Sequence, residues 1–267
     1  MTTGPIQKMR VEPSSPVQYS LPVGDEELPL NPHLGSKLTL RFTGDIRCVA
    51  CDRAIKKSFA QGHCFPCFNS LASTDGCIVR PETCHYHLGT CREPEWGETH
   101  CLIPHTVYLS NTSGVKVGIT RGLDPRTRWI DQGATQGMTI RVAKDRLESG
   151  RVEVALKDYL ADRTNWRAML KGPPEAIDLA AEFERVCALH QEAAPDSPLA
   201  GEAPTHEVNA SFEYPVLSYP EKIRSHNLDK INVLEGTLMG IKGQYLIFDT
   251  AVINMRKYGG YVLEVSA

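Results

Sequence analysis

The chain has 267 residues, 41% of them hydrophobic, a formal net charge of −3 and a pI of about 6.3. That is more than one average domain and enough for a true core, while the mild acidity excludes a polycation that coats nucleic acid by bulk charge. Met1 to Pro16 is polar, without the apolar stretch of a secretory leader, and no run of about eighteen apolar residues occurs, so a cytoplasmic protein with no membrane contact is expected.

Residues 1–36 are rich in Pro and Gly and read as irregular chain with one strand near Val17–Leu21. Lys37–Phe42 (KLTLRF) alternates polar and apolar residues and reads as a strand. Eight of the nine cysteines follow, all between Cys48 and Cys101, in a stretch crowded with Gly, Pro, Asp and His that has too little apolar periodicity to build its own core. Thr106–Ser110 and Val115–Thr120 read as two strands of a hairpin around the turn signal Asn111–Gly114. Asp124-Pro125 opens a helix over Arg126–Gln132, and Met138–Val142 reads as a third strand. Helical spacing recurs over Val152–Leu160, with a further helical stretch over Ala161–Leu170, and Pro174–Leu189 is strongly amphipathic. Ala193–Pro204 has the composition of a linker. Beyond it, strands are expected over Val233–Met239, Gln244–Phe248, Val252–Met255 and Tyr261–Val265. The fold class is therefore α+β. The parts are an N-terminal β segment (1–47), a loop-rich cysteine region (48–104), an α/β core (105–192), a linker (193–207) and a small C-terminal β-module (208–267), which takes in N-terminal strands or stands alone.

Cys48-Val-Ala-Cys51 and Cys64-Phe-Pro-Cys67 are two CxxC knuckles separated by twelve residues. Such a pair sets four thiolates on one tetrahedral Zn²⁺ with no open position, which makes the ion structural. An iron–sulfur cluster and a pair of redox motifs are the alternatives. Cys77, Cys84, Cys91 and Cys101 have wider spacings, and invite a second zinc in which His85, His87 or His100 replaces one thiolate, or are isolated buried cysteines. Cys187 lies on the apolar face of its helix and reads as core. From His105 to Lys171 twelve Lys/Arg stand against seven Asp/Glu, a net of +5 that leaves −8 for the rest. This basic segment is either a docking surface for an anionic partner or a solvated face.

The segment Thr106–Trp129, TVYLSNTSGVKVGITRGLDPRTRW, resembles the opening of a GIY-YIG endonuclease domain. Val107-Tyr108 falls in the GIY position, and Lys116-Val117-Gly118 in the YIG position, as in the branch that reads KIGIT there. The resemblance covers residues 105–170 and implies an α/β core of that type. It implies catalytic roles for Tyr108, Lys116, Arg126, Glu153 and Asn165, with a Mg²⁺ on Glu153. Nucleic acid, DNA or RNA, is the partner it implies, with Arg121, Arg128, Arg141 and Lys144 on the backbone and Trp129 and Gln132 on a base. Two members of the family pattern are missing: the second tyrosine is Lys116, and Ile130 stands where a histidine is usual. A non-catalytic module that binds nucleic acid or a protein is therefore the rival reading. The combination of a cysteine-rich front, the hairpin and the GIKGQYLIFD tail also resembles an uncharacterised bacterial family without an assigned activity.

Overall fold

A computed structural model describes residues 1–193 and 207–267, so the linker expected over 193–207 falls almost wholly outside the described residues. The fold is mixed α+β, with several antiparallel sheets. It divides into two compact units, Met1–Asn69 with Leu170–Gly172 and Phe212–Ala267, and Ser70–Met169 with the described part of Pro173–Ser211. The first pair of knuckles belongs to the first unit and the remaining clustered cysteines to the second.

The first unit begins with β1 (Thr2–Pro5), β2 (Arg10–Glu12), β3 (Gln18–Val23), β4 (Glu26–Pro29), β5 (Lys37–Arg47), β6 (Ala54–Ile55) and α1 (Phe65–Ser70). The N-terminal 36 residues thus carry four strands instead of one. β2, β3 and β4 form their own antiparallel sheet, with Tyr19, Leu21 and Val23 turned inward at a period of two.

The second unit follows with α2 (Pro94–His100), β7 (His105–Asn111), β8 (Val115–Arg121), α3 (Arg126–Asp131), β9 (Gln136–Ala143), α4 (Arg146–Leu156), α5 (Trp166–Met169), α6 (Leu179–Ala193) and β10 (Asn209–Ser211). The expected hairpin is β7–β8, paired so that Tyr108 faces Gly118 and Ser110 faces Lys116. β9 lies alongside β7, and β10 pairs with β9. The helix expected over Val152–Leu160 starts earlier, at Arg146, because Asp145 caps it by accepting from the Glu148 N–H at 2.8 Å. Alternation divides the hairpin's side chains. Val107, Leu109 and Val117 enter an apolar core with Ile140, Val152, Leu156, Leu179 and Val186, leaving Tyr108, Ser110 and Lys116 together on the opposite face.

The chain closes the first unit with β11 (Val233–Lys242), β12 (Tyr245–Phe248), β13 (Val252–Asn254) and β14 (Tyr261–Ser266). These join the N-terminal strands in one sheet of order β1-β14-β5-β11-β12-β13, with β6 on β5. β5 is its spine: Leu40 is opposite Leu234 on one side and Val265 on the other. No described helix is long and apolar enough to cross a membrane.

Candidate functional site

Among the described residues, two arrangements gather the side chains expected to act together. The first is the thiol cluster of the two knuckles. Cys48 follows the end of β5, and Cys64 and Cys67 sit at the start of α1. Backbone pairs clamp the connecting loops: the Arg47 N–H donates to Gly260 O at 2.7 Å and the Val49 N–H to Gly62 O at 2.9 Å. The four Sγ atoms lie within 4.8 Å of one another. Cys51 and Cys64 Sγ are 3.8 Å apart. A tetrahedral zinc with Zn–S of about 2.3 Å sets its sulfurs about 3.8 Å apart, and a disulfide requires about 2.05 Å. The cysteines are free thiols. Amide N–H groups already point at the sulfurs, Cys64 N to Cys48 Sγ at 3.2 Å and Cys67 N to Cys64 Sγ at 3.5 Å. Burial pushes the Cys48 thiol up, but the N–H groups of Cys64, Ala50 and Cys51 outweigh it and bring it down to about 6. Cys67 is pushed up to about 12 by hydrogen bonding to the Cys64 and Cys51 sulfurs. The cluster therefore keeps a proton that a divalent cation displaces. These four cysteines can hold zinc; Cys48 and Cys64 are buried, whereas Cys51 is exposed.

The second arrangement lies on the polar face of the β7–β8 hairpin. Tyr108 is fully buried and its hydroxyl donates to Gln132 Oε1 at 3.2 Å. Gly118 is required opposite it, because a Cβ there would stand 2.7 Å from the Tyr108 oxygen. Lys116 is 5% exposed. Burial, and then the charge of Arg128, hold its ammonium down at about 8, against the pull of Glu153 and Asp162. Burial also raises Tyr108, while Arg128 and Gln132 work the other way. Glu153, on α4, is raised by burial and lowered by Lys157, whose Nζ lies 3.6 Å away, and by Lys116. Tyr108, Lys116, Arg128, Gln132 and Glu153 thus act on one another. Ser110 Oγ, on the same face, is buried without a hydrogen-bond partner among the described residues.

Other expected site residues lie elsewhere. Arg126 is exposed and forms a bidentate pair with Asp124, Nη2 to Oδ2 at 2.7 Å, so the guanidinium beside Tyr108 is that of Arg128. Asn165 is exposed and caps α5, its Oδ1 accepting from Ala168 N at 3.2 Å. Trp129 is fully buried, edge-on to Tyr108 and pressed against Gly137. It anchors α3 to the sheet and presents no ring face for a stacked base. Arg141 is engaged with Glu148 at 2.8 Å, while Arg121 and Lys144 are exposed.

Glu82 was given no role by the sequence, yet it acts on Glu153 and raises it. It sits in the turn Pro81–Thr83, packed on α4 at Gly150, where a Cβ would meet Glu82 N at 2.4 Å. Only long-range packing places it there, so no spacing rule could have found it.

None of the curated proteins and none of the solved structures compared with the chain matches it. A family described as "Protein of unknown function (DUF2797)" matches residues 35–263. That match takes in both cysteine groups and the β7–β8 hairpin, and the chain belongs to this family.

Proposed function

We propose that the protein is a zinc-containing nucleic-acid-binding protein in which the GIY-YIG-like hairpin carries a phosphodiester-cleaving centre. What supports this reading is that Tyr108 and Lys116 share one face of the hairpin and that the charges of Arg128 and Glu153 act on both. A lysine held near pH 8 can take a proton from water, a task that favours a base close to the working pH. Tyr108, whose proton burial retains, orients that water instead of ionising. Arg128 offers a planar, permanently charged fork for a phosphate. A Mg²⁺ on Glu153 would supply charge stabilisation at the leaving oxygen. The zinc of Cys48, Cys51, Cys64 and Cys67 has no open position and serves the fold alone.

The test is cleavage of labelled single- and double-stranded DNA and RNA with Mg²⁺ or Mn²⁺. Cleavage is expected to fall at least 100-fold in Glu153→Gln and Arg128→Ala, a loss typical of a group that stabilises the transition state. Arg126→Ala is expected to have the smaller effect. Absence of cleavage in the wild-type chain, or full activity in both variants, refutes the nuclease reading. A second reading, a non-catalytic module on nucleic acid or a protein, is favoured by the full burial of Tyr108. It predicts salt-dependent binding without cleavage.

A further inference from the structure

Cys77, Cys84, Cys91 and Cys101 are spread along the chain at spacings that match no knuckle, yet all four line one cavity of the second unit. The 3₁₀ turns Gly76–Ile78, Pro81–Thr83 and Tyr86–Leu88, then α2, bring them there, without a strand of their own. The cavity is small, with about 10 Å³ of room. That suits a single ion or water, not an organic ligand.

Arg146 supplies an independent observation. Its guanidinium clasps the turn that carries Cys77, Nη2 donating to Ile78 O at 2.6 Å and Nε to Cys77 O at 3.3 Å. Its backbone N–H donates to Cys101 O at 2.8 Å. The negative groups that act on it are the sulfurs of Cys101, Cys77 and Cys84, and none of its partners among the described residues is a carboxylate. A half-buried arginine whose described hydrogen-bond partners are carbonyls has no counter-charge while the thiols beside it are neutral. Four thiolates on a divalent cation carry two negative charges in excess, and Arg146 offsets part of them. Asp75 and His85 place their ligand atoms within 4.8 Å of Cys77 Sγ, a grouping that the four sulfurs, which line the cavity, would reach only by turning inward onto the ion. They are already engaged: His85 Nδ1 with Thr90 Oγ1 at 2.8 Å, His85 Nε2 with Asp75 at 3.5 Å, and Asp75 with Arg92 at 2.8 Å.

We propose that Cys77, Cys84, Cys91 and Cys101 hold a second structural zinc ion, compensated by Arg146. The proposal stands apart from any activity on nucleic acid. The full chain, purified without chelator, is tested by elemental analysis and zinc-edge X-ray absorption. Two zinc ions per chain in an all-sulfur shell at about 2.3 Å are expected. One zinc per chain, iron in its place, or a nitrogen or oxygen ligand overturns the assignment. Cys84→Ser is expected to lose one equivalent and Cys51→Ser the other. Two full equivalents retained in Cys84→Ser would also overturn it. The wild-type measurements decide the matter if that variant does not fold.

Discussion

Lys116→Met separates the stability of the hairpin from its chemistry. Lys116 is almost fully buried and its ammonium is held at about 8 against an ordinary value of 10.5. Below pH 8 it is protonated in both the folded and unfolded chain, and the folded chain bears the cost of the buried charge. Between about pH 8 and 10.5 the unfolded chain keeps the proton that the folded chain has released, so stability rises with pH. The cost at neutral pH is 10.5 minus about 8, some 2.5 pH units, or about 3 kcal/mol. Methionine keeps the length of the side chain and removes the charge. The variant is therefore expected to be more stable than the wild type by up to about 3 kcal/mol at pH 7, with the difference shrinking through pH 8 to 10.5. Urea unfolding at a series of pH values reads it as a shift in midpoint at constant slope. A variant less stable at pH 7, or a difference that does not change with pH, refutes the reasoning. If Lys116 is the proton acceptor, the same variant loses cleavage while gaining stability, the trade expected where a strained group is kept for function.

The remaining predictions concern metal, packing and charge. Cys51 is exposed, so Cys51→Ser tests coordination without disturbing a core. It is expected to lower zinc content by one equivalent and to remove much of the roughly 10 kcal/mol that such an ion contributes, read by elemental analysis and thermal melting. Gly118→Ala is expected to cost about 1–3 kcal/mol by overpacking in urea unfolding, because its Cβ would stand 2.7 Å from the Tyr108 oxygen. Gly150→Ala should cost at least as much in the same assay, since the atoms met at 2.4 and 2.6 Å are backbone of Glu82 and Pro81. Glu153→Gln removes an attraction that holds Lys116 up, so the Lys116 midpoint, followed by the NMR shift of its ε-carbon, is expected to fall below about 8. An unchanged midpoint would show that the two groups do not interact.

What the sequence made legible was local. The β7–β8 hairpin showed in two strand-like runs on either side of the turn signal Asn111–Gly114, while the division of its faces, with Val107, Leu109 and Val117 turned to the core, came only with the packing. The four-thiol cluster showed in its spacing, because two CxxC knuckles present their sulfurs inward wherever the loop between them closes. Partners distant in sequence did not show. Thr2 pairs with Val265 and Gly4 with Leu263, and nothing in the Pro- and Gly-rich N-terminus names a strand at the far end of the chain. The choice between two arginines in one helix was hidden for a related reason. Arg126 and Arg128 are equal in charge and propensity, but Arg126 follows Asp124 closely enough for a bidentate pair, and that contact is a matter of loop geometry.

The cysteine cavity and the hairpin face share a length of backbone. The turn Pro81–Thr83 lies between Cys77 and Cys84, and it rests on α4 at Gly150, one helical turn before Glu153. Glu82, in that turn, has a buried Oε2 without a hydrogen-bond partner among the described residues, and its charge raises Glu153. An ion held by the thiols on either side of the turn would fix Glu82 in place, and with it the proton affinity of Glu153. Loss of the ion would free the turn, withdraw a like charge from Glu153 and let its carboxyl ionise more readily. A metal bound in the second unit would thus reach the polar cluster through a carboxylate, and its removal should change the titration of Glu153 before it unfolds the sheet.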